Sequence, residues 1–210
     1  MNTRLVSITP NPELLILYCA RVSADQSNQS TGLIKYLIRH KHWSPFEMAH
    51  AVMEIQTSRI IAVQLLRHRS FSFQEASQRY VGATASFELA KARRQAEKNR
   101  QSSIDDLPDE VLDWFDEAQR SVWNFTTNLY NQAKGRDIAR ESARFLLPGS
   151  ARTKLYMAGS IRSWIHYIEL RCGEDVQEEH RAIAMQIKKI LAKELPVIAE
   201  AMEWDTSQPT

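Results

Sequence analysis

From Pro108 to Ala133 the apolar residues Val111, Phe115, Ala118, Val122, Phe125 and Leu129 recur at three- and four-residue spacing. That is the stripe of one long amphipathic helix, and such a stripe is expected to face the core. Gly135 stops it. The other segments are shorter. Residues 3–8 alternate weakly as a strand, and Asn11-Pro12 opens a helix through about Arg21, proline being favoured in a first turn. Leu33, Ile34, Leu37 and Ile38 give a second helix, from about Thr31 to His40, its apolar face. Between His50 and Thr57, Ala51, Met53 and Ile55 alternate with Val52, Glu54 and Gln56 as in a strand, and Ser58 is placed to cap a helix through Arg67.

Asp137 to Leu146 reads as a shorter helix ending at Pro148-Gly149, and Arg152 to Ala158 as a strand. Ile161, Trp164, Ile165 and Ile168 mark a further helix, with Trp164 in the core. Val176, Ile183, Ile187 and Ile190 stripe a last long one from Val176 to Glu194, before Pro196 and a short apolar tail. Strands and helices do not alternate regularly, so the class is α+β and not a doubly wound sheet. With 210 residues and no evident boundary, one domain over 1–210 is expected. Residues 88–106, with Arg93-Arg94-Gln95 and Lys98-Asn99-Arg100-Gln101, form a polar surface excursion, partly helical, whose purpose as lid, interface or solvated surface the sequence leaves open.

Lysine and arginine total 27 against 25 acidic residues, a net charge of +2. That is too small for a protein whose main partner is a polyanion, so no nucleic-acid partner is expected. No apolar run approaches the roughly 18 residues of a membrane span, and the start shows no leader pattern, which reads as cytoplasmic with no membrane partner. Cys19 and Cys172 show no metal-ligand spacing, so no metal site is expected. Cys19 lies in an apolar run and is expected to be buried and inert. Cys172 follows Arg171, which would lower its pKa, but has no helix start or histidine base beside it and is read as non-catalytic.

The chemistry concentrates in Arg67-His68-Arg69-Ser70-Phe71-Ser72-Phe73-Gln74-Glu75-Ala76-Ser77-Gln78-Arg79-Tyr80. Arginine forks hold planar anions by paired, charge-assisted hydrogen bonds. Glu75 and Ser77 alternate with small neighbours and so share one face of an extended segment. Together they suggest a nucleotide. A solvated helix end, an RNA-binding basic arm and a structural oligomer stand as alternatives. Elsewhere, Pro45 is expected to force Ser44 out of helical geometry and present His42, Ser44 and Glu47 on an irregular loop. Arg162, His166 and Glu169 fall on one helix face. Neither a Rossmann fingerprint nor a P-loop is present.

The pattern Arg-His-Arg, seven residues, then Ser (67–77) resembles the signature of the flavin-dependent thymidylate synthases. Ala20-Arg21-Val22-Ser23, His42-Trp43-Ser44-Pro45-Phe46-Glu47, Gln64, Ala143-Arg144-Phe145-Leu146-Leu147-Pro148 and Arg162 to Arg171 extend the resemblance in order and spacing. It implies an α+β domain, a mixed or antiparallel sheet packed with several long helices, assembled as a homotetramer with active sites at subunit interfaces. The implied reaction converts dUMP to dTMP, with methylenetetrahydrofolate as one-carbon donor and NADPH as reductant through FAD. It implies dUMP contacts at Gln64, Arg67, Glu75, Ser77, Arg79, Arg144 and Arg171, with Arg171 stabilising charge on the uracil ring. FAD contacts would come from Ser23, His42, Ser44, Glu47, Arg67, His68, Arg69, Arg162 and His166. The chain departs from the family pattern at Ser160 and His166, where many members carry Asn, and at Asp175, where a histidine is replaced and His180 follows later.

Overall fold

Two nine-residue strands at the centre of a four-stranded sheet carry a regular burial pattern. The structure is a computed structural model, described for residues 1–23, 32–80, 86–99 and 102–204. In chain order its elements are β1 (Asn2–Ile8), α1 (Pro12–Ala20), α2 (Gly32–Arg39), β2 (His50–Ser58), α3 (Arg59–Leu65), β3 (Ser72–Glu75), β4 (Arg94–Gln95) and β5 (Ser103–Ile104). There follow α4 (Asp109–Lys134), α5 (Arg140–Ala143), β6 (Arg152–Ser160), α6 (Ile161–Arg171), α7 (Glu178–Glu194) and α8 (Pro196–Ala201). The main sheet has the order β1-β2-β6-β3, with every pairing antiparallel.

The register of β2 on β6 sets Met53 opposite Met157 and Ile55 opposite Leu155. All four side chains are fully buried, because alternate strand residues share one face. Helices α1, α2, α6, α7 and α8 contribute Ile16, Ile34, Trp164, Ile187 and Ile198 to the same core. Trp164 is fully buried and its indole N–H donates to the Ala51 carbonyl at 3.2 Å. The α+β expectation and the antiparallel sheet both hold.

Several expected elements differ. The segment around Pro45 is not irregular: Ser44–Glu47 is a 3-10 turn, which tolerates proline in its first positions. The helix expected over Asp137–Leu146 shrinks to α5 and a 3-10 turn at Arg144–Leu146, since Asp137 takes a left-handed backbone (φ 59°). The tail after Pro196 is helical, as α8, with Ile198 buried. The polar excursion contains no helix among its described residues. It is a small hairpin, β4 against β5, clipped to α4 where the Gln119 amide bonds both the N–H and the C=O of Ala90.

The largest difference concerns α4. Its bounds match the expectation, yet Val122 is 50% and Phe125 66% exposed, and Val111 is exposed too. The residues it buries are Trp123, Tyr130 and Ala133, with Trp123 stacked on Phe87 at 5.1 Å. Tyr130 and Ala133 form a small separate cluster with Ala143. The expected stripe is therefore not a core face: Val111, Val122 and Phe125 are exposed and Phe115, Ala118 and Leu129 only half-buried.

Candidate active site

The signature begins where α3 ends. Leu66 caps the helix and a turn follows, in which the His68 N–H donates to the Leu65 carbonyl at 3.0 Å and the Phe71 N–H to the His68 carbonyl at 3.2 Å. Phe71 then anchors the segment: its ring sits 4.6 Å from that of Trp164 and lies across Gly159. A Cβ at Gly159 would come within 2.5 Å of that ring, so only glycine lets the segment approach β6 this closely. Thus the turn is pinned against α6, and β3 follows it along the sheet edge.

Around that anchor the expected residues fall into three groups. In the first, Arg171, the last residue of α6, donates from Nε to Nε2 of His68 at 3.0 Å. Burial, then the nearby charges of Arg171 and His166, pushes the His68 pKa down to about 4. At neutral pH His68 is an uncharged acceptor that holds Arg171, leaving the terminal amino groups of Arg171 directed elsewhere. Gln64, from α3, donates to Gln177 Oε1 at 2.6 Å and its own Oε1 meets His180 Nδ1 at 3.2 Å.

The second group lies at the start of α6. Glu47 Oε2 accepts from the Ser160 hydroxyl at 2.5 Å, and its Oε1 lies 3.3 Å from Arg162 Nη1. Ser160 also accepts from the Ser163 N–H and so caps the helix. The departure from the family pattern at Ser160 thus has a local role, supporting Glu47. Arg162, His166 and Glu169 are exposed along one face, so α6 joins this group to the His68–Arg171 pair. Beside it, a cleft of about 710 Å³ is lined by Tyr18, Cys19, Arg21, Val22, Ser44 and Met48 among others. Cys19 is therefore half-buried and not sealed in the core. The reason is that α1 is apolar all round, and Leu14 and Tyr18 remain 62% and 75% exposed. Ser23 ends the 3-10 turn after α1, and His42 packs near the rings of Tyr36 and His40.

The third group joins the end of the signature to α5. Ser77 Oγ accepts from the Arg79 N–H at 3.3 Å, and Arg79 forms an exposed ion pair with Glu141 at 3.4 Å. Arg144 donates to the Glu141 carbonyl at 3.2 Å, and Arg140 reaches the Tyr80 carbonyl at 2.7 Å. Glu75 lies between the groups, accepting from Arg59 at 3.1 Å and from Thr153 at 2.8 Å. Among the described residues no hydrogen bond or ion pair links the Gln64–Arg171 group to the Arg79–Arg144 group. Arg67 and Arg69 are exposed and have no ion-pair partner among the described residues.

Among the described residues no base hydrogen-bonds the Ser77 hydroxyl, whose Oγ accepts from the Arg79 N–H while His68 holds Arg171. Burial pushes the Cys172 thiol above its ordinary pKa, with Lys188 and Arg181 only partly offsetting this; the neighbouring Arg171 does not turn it into a thiolate. Sequence reading gave no role to Tyr167, Gln177 or Glu141, and named His180 only as the histidine that follows the departure at Asp175. His180 did leave a signal, for it sits in register with Ile183, Ala184 and Ile187 on the buried face of α7.

The family described as thymidylate synthase complementing protein matches residues 4–197. A flavin-dependent thymidylate synthase of Synechocystis is 48% identical, over 97% of this chain and 100% of the relative. A probable flavin-dependent thymidylate synthase of Paramecium bursaria Chlorella virus 1 is 47% identical over the same shares. Among solved structures, the UMP/dUMP methylase PolB from Streptomyces cacaoi, bound with 5-Br dUMP, superposes with a TM-score of 0.87 at 26% identity, covering 96% of this chain and 94% of that one. With the signature turn pinned beside Arg171 and the match running nearly end to end, the chain belongs to the thymidylate synthase complementing family, that of the flavin-dependent thymidylate synthases.

Proposed function

We propose that this chain is a flavin-dependent thymidylate synthase, converting dUMP to dTMP with FAD as cofactor, methylenetetrahydrofolate as one-carbon donor and NADPH as reductant, and releasing tetrahydrofolate. The observation that carries the reading is the His68–Arg171 pair at 3.0 Å, set at the foot of the signature turn. A neutral imidazole fixes the guanidinium by its Nε and leaves the two terminal nitrogens for a ligand. Negative charge developing on a uracil ring is stabilised by a fixed donor of that kind in a water-poor site.

The residues also fit a flavin. Arg67 and Arg69, exposed and without an ion-pair partner among the described residues, are cations suited to a pyrophosphate, and the cleft beside Ser44 has apolar walls for a planar ring. Arg162, His166 and Glu47 line the α6 face between the two. His42 and Ser23 would complete the hold. When bound, FAD supplies the hydride transfer that side chains cannot. Gln64, Glu75, Ser77, Arg67, Arg79 and Arg144 would bind the nucleotide, with Arg79 and Arg144 on its phosphate and Ser77 as a hydrogen-bonding group. Among the described residues the Arg79–Arg144 group and the Gln64–Arg171 group lack a direct link. Sites completed between copies would bring one group of each kind together, which favours the homotetramer.

The test is direct. Purified protein should take up FAD, with its visible absorbance, and make dTMP anaerobically from dUMP, methylenetetrahydrofolate and NADPH. A colourless protein that gains no flavin spectrum and forms no dTMP would overturn the reading.

A further inference from the structure

His180 is fully buried, and none of the roles above uses it. It occupies a position on α7 whose neighbours at three, four and seven residues further on are Ile183, Ala184 and Ile187, all fully buried. An aliphatic side chain there would simply extend the core, whereas a buried imidazole must have both nitrogens satisfied. Both are. Nε2 lies 3.2 Å from the Tyr167 hydroxyl, and Nδ1 lies 3.2 Å from Gln64 Oε1. Tyr167 is itself fully buried, and its ring meets that of His68 edge-on at 5.0 Å, with the His180 ring 6.0 Å from His68 on another side.

We propose that His180 is a positioning residue for the nucleotide: it locks the Gln64 amide in one orientation and, with Tyr167, braces the His68 ring that holds Arg171. The inference rests on the reading that Gln64 and Arg171 face dUMP. Burial, then the charges of Arg171 and His68, pushes the His180 pKa to about 4, so the ring is neutral near pH 7. A neutral ring donates from one nitrogen and accepts at the other. Because an amide oxygen only accepts, Nδ1 carries the proton and Nε2 accepts from the tyrosine hydroxyl. The bonds then run in one direction, from Tyr167 to His180 to Gln64 Oε1, and from Gln64 Nε2 to Gln177 Oε1 at 2.6 Å. With its oxygen held by His180 and one N–H by Gln177, Gln64 has a single N–H left to offer a ligand. Without His180 the amide is free to turn over and offer its oxygen instead.

Three variants separate positioning from packing, because the amide of asparagine reproduces the place of Nδ1 and that of glutamine the place of Nε2. Titration with dUMP should show His180→Phe raising the dissociation constant about tenfold, roughly one lost hydrogen bond. His180→Asn, which keeps the Gln64 contact, should bind nearer to wild type than His180→Gln, which keeps only Tyr167. In turnover the rise should appear in the KM for dUMP more than in kcat. Thermal melting of the same three proteins ranks their stability. If dUMP affinity simply follows that ranking, or if asparagine and glutamine bind alike, His180 is a core residue and the inference fails. Wild-type protein that binds dUMP while all three variants match it would sink the inference alone; wild-type protein that does not bind dUMP would remove the proposed function beneath it.

Discussion

Arg171 does its work through which of its nitrogens are occupied. With Nε on His68, a lysine at this position would supply charge but neither the fork nor the fixed direction. Arg171→Lys should therefore leave dUMP binding close to normal and chiefly slow oxidation of reduced flavin in the presence of dUMP, which stopped-flow absorbance would reveal. Arg79→Lys and Arg144→Lys should instead weaken dUMP binding. Each lost charge-assisted contact is worth roughly 1.5–3 kcal/mol, and unchanged titrations in both would refute the phosphate assignment. Cys172→Ala should stay active, because burial holds the thiol protonated. Detection of a uracil adduct on Cys172 in the parent protein would contradict that.

The junction of α3, α6 and α7 holds two imidazoles, the half-buried His68 and the fully buried His180, whose pKa values both fall to about 4. An unfolded histidine titrates near 6.5. Between those values the unfolded chain binds more protons than the folded one, so stability is full above about pH 6.5 and is lost as the pH falls toward 4. Urea unfolding at pH 7 and pH 5 should differ by roughly 2 kcal/mol or more, and His180→Phe should remove about half of that dependence. The hairpin offers a second test. Arg93 pairs with Glu178 at 2.7 Å and with the buried Glu179 at 2.6 Å, clamping the polar excursion to the start of α7 beside Gln177. Arg93→Ala leaves a buried carboxylate unpaired and should cost about 3 kcal/mol. Arg94→Ala, opposite the exposed Asp106, should shift the denaturation midpoint far less, because water screens an exposed pair. Equal denaturation midpoints for the two variants would show that the clamp adds nothing.

Over the whole molecule, the exposed apolar row of α4 is a feature that a single chain leaves unexplained. Val122 and Phe125 point away from the Trp123 side of the helix, and contiguous exposed apolar surface of this kind marks an interaction face. If a second copy covers it, the protein should sediment as four chains, and Phe125→Asp should yield smaller species that bind FAD and dUMP poorly. A Phe125→Asp protein that remains tetrameric would place the interface elsewhere.

Local pattern was enough for most helices and for β2 and β6, because period 3.6 and period 2 burial leave direct marks in Ile161-Trp164-Ile165-Ile168 and in Ala51, Met53 and Ile55. Ordered motifs likewise made the family legible. Other features have no local mark. Whether a helix stripe meets its own chain or another depends on what folds beside it, so the α4 stripe was read as core and is half exposed. The use of His68 to hold Arg171, of Ser160 to support Glu47, and of His180 to hold Gln64 spans 103, 113 and 116 residues of sequence. Such pairings arise when β6 threads between β2 and β3 and α6 folds back over the signature turn, and no spacing rule within a segment encodes them.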